Sequence, residues 1–258
     1  MLQGIIIKDD RRYSYVENFL QKEGCIFCEN SAKPEELDFV IFPFAAEVDK
    51  SVYNAQYFDR LGKEVIVFSG LRSAYILQEC ASRGLEYHAM LQDKAITVKN
   101  AVPTSEGVIA YLVTNRTETL AGSRMLVIGY GVCGRDLSKR LAALGVDVYA
   151  LVRTREKEAM AYADGITPIF LRDITQIEFD TIINTVPATV LTDEMLEMKR
   201  GSIFVDIASK PYGFNMDLAK SLNEKSTLLP GIPGKYAIKT SGEILGEYII
   251  NILRGNAL

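Results

Sequence analysis

The run Gly129-Tyr130-Gly131-Val132-Cys133-Gly134 constrains this chain more than any other stretch. An uninterrupted apolar run, Met125-Leu126-Val127-Ile128, leads into it. A helix-like stretch from Arg135 to Leu144 follows and ends at Gly145, and a second apolar run spans Val146 to Val152. Short apolar runs bounded by turn residues read as strands buried on both faces, so the segment is strand, turn, helix, strand. In that setting each glycine has a physical task. Gly129 permits the tight turn, Gly131 has no side chain to hold a phosphate off the backbone, and Gly134 lets the helix lie close to the strand. The unpaired N–H groups at the helix start, with Val132 and Cys133 of the loop before it, then face an anion at the positive end of the dipole.

Glycines mark ordinary turns too, but with a helix and a strand on each side this pattern specifies a dinucleotide-binding unit. The rest of the chain alternates in the same way. Gly4-Ile5-Ile6-Ile7 precedes a helix-like segment from Arg11 to Glu23, Phe39 to Phe42 is an apolar run ended by Pro43, and Val65 to Phe68 runs into Ser69-Gly70. A helix from Ser73 to Arg83 stops at Gly84, before Leu85-Glu86-Tyr87-His88. Such alternation predicts an α/β fold: two Rossmann-like domains with mostly parallel sheets, the dinucleotide-binding domain being C-terminal. Val98 to Ser105 reads as the junction, because Pro103 interrupts regular structure and Thr104 or Ser105 suits the cap of a helix over Glu106 to Thr117. The first domain is expected over residues 1–102, rejoined by a terminal helix over 241–258, and the second over 103–240. The returning helix rests on analogy with two-domain dehydrogenases.

The 258 residues are 48% hydrophobic and 24% charged, with net charge −4, which suits a globular protein and supplies no general attraction for nucleic acid. No apolar run of about 18 residues suggests a membrane span. Met1-Leu2-Gln3-Gly4 leads to an apolar triplet and Lys8-Asp9-Asp10 without the pattern of a secretory leader, so a cytoplasmic protein is expected. Cys25 and Cys28 have CxxC spacing, but no second pair or HxxxH completes a zinc set, and they sit in a strand-like run. They are expected to be ordinary buried thiols, with no metal bound.

The strand after the glycine loop ends in Arg153-Thr154-Arg155, where an NAD site usually has an acidic residue for the ribose 2′-hydroxyl. Two guanidinium groups and a hydroxyl suit the 2′-phosphate of NADP; the alternative is a solvated surface pair. Glu156 belongs to the first turn of the next helix. Farther on, Asn184-Thr185-Val186-Pro187 and Asp206 stand at strand ends, where ligands of open α/β sheets bind. They are candidate cofactor contacts, or a capped turn and nothing more. The single histidine, His88, lies before the junction. A 2-hydroxy-acid dehydrogenase normally needs a histidine to move the hydroxyl proton, and the second half supplies none.

Several segments together resemble the dipicolinate synthase A subunits of spore-forming bacteria. They are Val65 to Gly70, Asn100-Ala101-Val102-Pro103-Thr104-Ser105-Glu106-Gly107, the glycine loop, Asn184 to Pro187, Asp206 to Pro211, and Pro230-Gly231-Ile232-Pro233-Gly234 continuing to Lys239-Thr240. They run in order from about Phe39 to Gly242, and the Val-Pro-Thr-x-Glu-Gly and Pro-Gly-x-Pro-Gly segments are the most particular. The resemblance implies NADP-linked oxidation of a dihydropyridine dicarboxylate during sporulation, in partnership with a flavoprotein-like B subunit. It implies that Ser69, Thr104, Ser209, Lys210 and Lys239 contact the dianionic substrate, and that Glu106 accepts a proton or orients a lysine. Each of these charges also reads as a solvated residue, and Glu106 as a first-turn carboxylate. Where the family has an N-terminal Gly-Gly-Asp turn, this chain has Ile7-Lys8-Asp9-Asp10 and a short first domain. Contacts from that loop therefore do not carry over. Two other functions stay open: another NADP-dependent amino-acid or imino-acid dehydrogenase, and a non-catalytic partner subunit that binds NADP. A homo-oligomer is also open.

Overall fold

A computed structural model describes residues 1–28 and 33–255. The end of the expected terminal helix, 256–258, lies outside the described residues. The chain forms two compact units, Met1–Asn100 with Ala237–Leu258, and Ala101–Tyr236.

In the first unit, β1 (Gln3–Ile6), α1 (Arg12–Lys22), β2 (Ile26–Phe27), β3 (Phe39–Ile41), α2 (Ala55–Asp59), β4 (Ile66–Ser69), α3 (Ala74–Arg83) and β5 (Glu86–Ala89) build one parallel sheet in the order β2-β1-β3-β4-β5. Helices cover both faces, because the central strands are apolar on both sides. Val40, Phe42, Val67 and Ile76 pack on one face, and Phe39, Ile41 and Phe68 pack with Tyr13, Val16 and Leu20 of α1 on the other. Ser73 caps α3 by accepting from the Ile76 amide, and Gly84 closes it. His88, at the end of this region, is half-buried: its ring stacks on Phe68, and its nitrogens meet Tyr248 at 3.1 Å and Glu86 at 2.6 Å. Cys25 is buried and Cys28 half-buried, both free.

The boundary between the units, Asn100 to Ala101, falls within the expected junction at Val98–Ser105, but the expected interruption of regular structure is not there. A single helix, α4 (Lys94–Asn115), runs through it with Pro103 inside. Proline forfeits one helix hydrogen bond, an interior cost of about 3 kcal/mol. Burial of Ala101, Val108 and Leu112 along one face, with Pro103 buried on the opposite side, offsets that cost. Thr104 and Ser105 are therefore interior positions rather than caps, and Glu106 is not in a first turn.

The second unit continues with β6 (Arg124–Ile128), α5 (Val132–Ala143), β7 (Asp147–Leu151), α6 (Arg155–Ala163), β8 (Thr167–Ile169), β9 (Thr181–Asn184), α7 (Asp193–Met198), β10 (Ile203–Asp206), α8 (Met216–Leu222), β11 (Thr227–Leu228) and α9 (Pro233–Tyr236). Its sheet is again wholly parallel, ordered β8-β7-β6-β9-β10-β11. Counted from β6 this is 3-2-1-4-5-6, the Rossmann order, and the direction of winding reverses between β6 and β9. Leu137 and Leu141 of α5 and Val108 of α4 pack on one face; Leu196 of α7 and Ala219 of α8 pack on the other.

The last helix, α10 (Ile238–Leu253), packs on α1. Gly242 and Gly246 allow the close approach: a Cβ on either would press into Tyr15 and the Arg12 carbonyl, or into Phe19. No helix among the described residues is long and apolar enough to cross a membrane.

Candidate functional site

The crevice beside a reversal of winding, at the carboxyl ends of the strands, is where open α/β sheets bind ligands. In the second unit the glycine loop lies at that point. Thr185, just past β9, donates to the Ile128 carbonyl twice, from its amide at 3.1 Å and its hydroxyl at 2.8 Å. Gly129 donates to the Leu151 carbonyl at 3.1 Å. The loop is thus tied to β9 on one side and β7 on the other.

The three glycines differ in what their surroundings demand. Gly129 has φ +93°, in the left-handed region that favours glycine, and a Cβ there would strike Val186. A Cβ on Gly134 would run into the Gly129 carbonyl oxygen, so the first turn of α5 lies directly on the loop. A Cβ on Gly131 would meet nothing within 4 Å. The space over Gly131 is therefore open, and a side chain placed there would project into it.

Helix α5 starts at Val132, earlier than the expected Arg135, so Val132, Cys133 and Gly134 form its first turn. No side chain caps it and no acidic residue lies in that turn. Asn54, Ser73, Thr154, Thr192 and Asn215 cap α2, α3, α6, α7 and α8, whereas α1 and α10 share with α5 the lack of a side-chain cap. An uncapped, twelve-residue helix beside an open glycine fits the pyrophosphate of a dinucleotide. The Cys133 thiol, half-buried in this turn, is pushed up by burial.

At the end of β7, Arg153 is exposed and has no ion-pair partner among the described residues. Arg155 is exposed but pairs with Glu158 at 3.2 Å. Thr154 has a structural task that the sequence reading did not give it: its hydroxyl caps α6 by accepting from the Lys157 amide at 3.3 Å.

Asn184 and Asp206 are placed differently from the expectation. Asn184 is buried, donates to Asp206 at 3.0 Å and to the Val186 carbonyl at 2.9 Å, and accepts from the Val186 amide. Asp206 also accepts from the amides of Ala208 at 2.9 Å and Gly213 at 2.7 Å. Burial raises its pKa, and the Asn184, Gly213 and Ala208 donors act against that rise. These two side chains hold the strand ends from within, because their polar atoms already have partners.

The remaining candidates divide between the two units. Pro187, Ser209 and Lys210 are exposed beyond β9 and β10. Lys210 borders a shallow hollow of about 740 Å³ with Thr189, Leu191, Pro211, Tyr212 and Phe214. Glu106 is exposed on α4, 3.8 Å from Arg140. Thr104 is half-buried on the same helix. Ser69 and Lys239 belong to the first unit. Ser69 is buried, donating to the Leu71 carbonyl and sharing a hydrogen bond with Tyr87, and Lys239 is exposed, 3.9 Å from Glu243. The sequence reading missed Tyr130 and Asp164, joined at 2.9 Å under the loop. It also missed Gly213, where a Cβ would collide with Asn184. Only the glycine itself was a local signal.

The model of the D-isomer specific 2-hydroxyacid dehydrogenase NAD binding domain matches residues 95–228, just over half of the chain. The chain belongs to that family. Its cofactor class is a nicotinamide dinucleotide, and it is a dehydrogenase-type chain. The matched region contains no histidine, so the family relationship concerns the cofactor domain and leaves the argument about hydroxy-acid chemistry standing. The dipicolinate synthase A subunit of Bacillus subtilis (strain 168) is 27% identical over 245 residues, covering 89% of this chain and 82% of that protein. The resemblance read from the motif segments therefore extends over nearly the whole chain. Among solved structures, the same dipicolinate synthase A subunit from Bacillus subtilis superposes with a TM-score of 0.88 at 24% identity, covering 98% of this chain and 96% of that one. The apo structure of D-lactate dehydrogenase from Escherichia coli superposes with a TM-score of 0.65 at 14% identity, covering 100% and 98%. These likenesses show a shared fold.

Proposed function

We propose that the protein is an NADP-dependent oxidoreductase subunit that oxidises dihydrodipicolinate to dipicolinate (pyridine-2,6-dicarboxylate) in the cytoplasm of a sporulating cell, working with a flavoprotein-like B subunit. The observation that carries the reading is the end-to-end similarity to the dipicolinate synthase A subunit. The preference for NADP rests on Arg153, an exposed guanidinium without an ion pair among the described residues, where an NAD site usually has a carboxylate.

In this reading the first-turn amides of α5 bind the pyrophosphate over Gly131, and Arg153, with Thr154 and Arg155 beside it, binds the 2′-phosphate. Thr185 holds the loop in place, backed by Asn184 and Asp206, with Pro187 at the rim. A bound nicotinamide dinucleotide supplies the hydride acceptor. Aromatisation of the ring also releases one proton, and Glu106 is the proposed group to receive it or to orient a lysine. Lys210 and Lys239 would meet the two carboxylates, with Ser69, Thr104 and Ser209 as further donors. Aromatisation favours the products, so positioning matters more than a strong base, which agrees with the missing histidine.

The experiment is to follow the absorbance of reduced nicotinamide with freshly generated dihydrodipicolinate, with the chain alone and with a B subunit. Turnover with NADP and little with NAD supports the reading. Clear NADP binding without turnover in either arrangement overturns it. A second reading, a non-catalytic NADP-binding partner, is favoured by one observation: Glu106 and Lys239 each lie beside an oppositely charged surface residue. Another NADP-dependent amino-acid or imino-acid dehydrogenase would instead show turnover with simple oxo acids.

A further inference from the structure

We propose that Tyr130, Asp164 and Arg135 form a latch that holds the glycine loop in its binding shape before the cofactor arrives, and that this latch helps set the affinity for the dinucleotide. The inference rests on the loop being the nicotinamide-dinucleotide site and reaches residues that the GxGxxG pattern leaves unspecified.

Tyr130 is the first variable residue of the motif, between Gly129 and Gly131. Its side chain points away from the open space over Gly131 into the core, where it is 3% exposed within the cluster that includes Leu137, Val152 and Ala161. Its hydroxyl donates to Asp164 Oδ2 at 2.9 Å. The same carboxylate takes a two-pronged contact from Arg135, Nε to Oδ2 at 2.6 Å and Nη2 to Oδ1 at 2.9 Å. Lys139 stands at 3.7 Å. Arg135 is also joined to the loop through its backbone, donating to the Gly131 carbonyl at 2.9 Å. One carboxylate thus grips the chain on both sides of the anion-binding amides, before Gly131 and after Gly134.

The position of Asp164 argues for this task. It is the C-cap of α6, where the dipole is negative and a carboxylate is disfavoured. Nothing in its own helix calls for an acid there. The donors that converge on it come from the loop and from α5. The Arg135 hydrogen bonds hold Asp164 at about 2, well below the usual carboxylate range, so it stays ionised at neutral pH. A loop fixed in advance loses less freedom when a ligand binds, and that saving appears as affinity.

The test compares wild type with Tyr130→Phe, Asp164→Asn and the double variant. NADPH and NADH dissociation constants are read from cofactor fluorescence, well below each variant's unfolding midpoint. Amide hydrogen exchange of residues 129–135 is read without cofactor. The expected result is a weakening of roughly 5- to 10-fold for each single variant with both cofactors, with faster loop exchange. The double variant should be little worse than the weaker single one, because both changes open the same latch. A merely structural role would lower the unfolding midpoints and leave the dissociation constants and loop exchange of the folded protein at wild-type values. That result overturns the proposal. Tyr130→Phe keeps the buried ring, so it decides the matter even if Asp164→Asn fails to fold. If wild type binds neither dinucleotide, both the cofactor reading and the latch fall together; if wild type binds and the variants bind equally well, the latch alone falls.

Discussion

Asn184 Nδ2 donates to Asp206 Oδ1 at 3.0 Å, joining the ends of two neighbouring parallel strands, with both side chains closed to solvent. The pair converts two strand ends into one rigid platform beside the glycine loop. Asp206 extends it by folding the following segment back, through the amides of Ala208 and Gly213. Replacing Asp206 by Ala leaves those two buried amides without an acceptor and removes one of the two that Asn184 donates to. We expect a loss of roughly 2–4 kcal/mol in urea unfolding, since each stranded group costs about 1–3 kcal/mol. Unchanged stability would mean that the platform carries no load.

The glycine loop predicts opposite outcomes at two positions. Gly131→Ala adds a methyl group to open space, so the protein should fold with wild-type stability and bind dinucleotide more weakly, and Gly131→Val should abolish binding with the fold intact. Gly134→Ala puts its methyl group against the Gly129 carbonyl, a backbone atom that cannot turn aside. It should cost about 1–3 kcal/mol in stability as well as binding. Thermal unfolding and NADPH titration of the variants separate these cases. A stable Gly134→Ala, or a Gly131→Val that binds normally, would contradict the assignment.

Cofactor choice is tested at Arg153. Its Ala variant should lose about 10- to 100-fold in NADP affinity and much less in NAD affinity, the usual range for one charge-assisted contact. Arg155→Ala should do less, because that guanidinium is already shared with Glu158. Equal losses for NAD and NADP in the double variant would sink the 2′-phosphate reading.

The pattern of strands and helices was legible in the sequence because buried parallel strands are continuous apolar runs, and the loop because three glycines stood between two of them. Helix α4 was not, because Pro103 is a strong local signal outweighed by burial of a face that only the folded chain supplies. Strands β8 and β11 were missed because neither is a continuous apolar run: Pro168 interrupts the first, and the second is Thr227-Leu228 alone. Side-chain partnerships were hidden for another reason: Tyr130 and Asp164 are 34 residues apart, and Asn184 and Asp206 are 22 apart. Lys199, of a residue type almost never fully buried, is 1% exposed and donates to the Thr175 and Ile177 carbonyls. Of the candidate site, the glycine loop was legible because its signal is local, and the partnerships of Tyr130, Asp164, Asn184 and Asp206 were not, because they join distant segments.

Acid stability follows from Asp164. The Arg135 hydrogen bonds lower its folded value from 3.8 to about 2. Between those values the unfolded chain binds more protons than the folded one, so stability falls as pH falls. The contribution is fully present above the unfolded value and disappears through the folded one, a window of about pH 5 to 2. Asp206 has the opposite sign: burial raises its value, so its folded form keeps the proton longer, and its term is largest in acid and is lost as pH rises. The two terms partly offset each other in wild type. Asp164→Asn removes only the first, so its unfolding midpoint should be lower than wild type at pH 7, with the difference shrinking towards pH 2. Midpoints measured across that range that run parallel for the two proteins would show that Asp164 is not held ionised by Arg135.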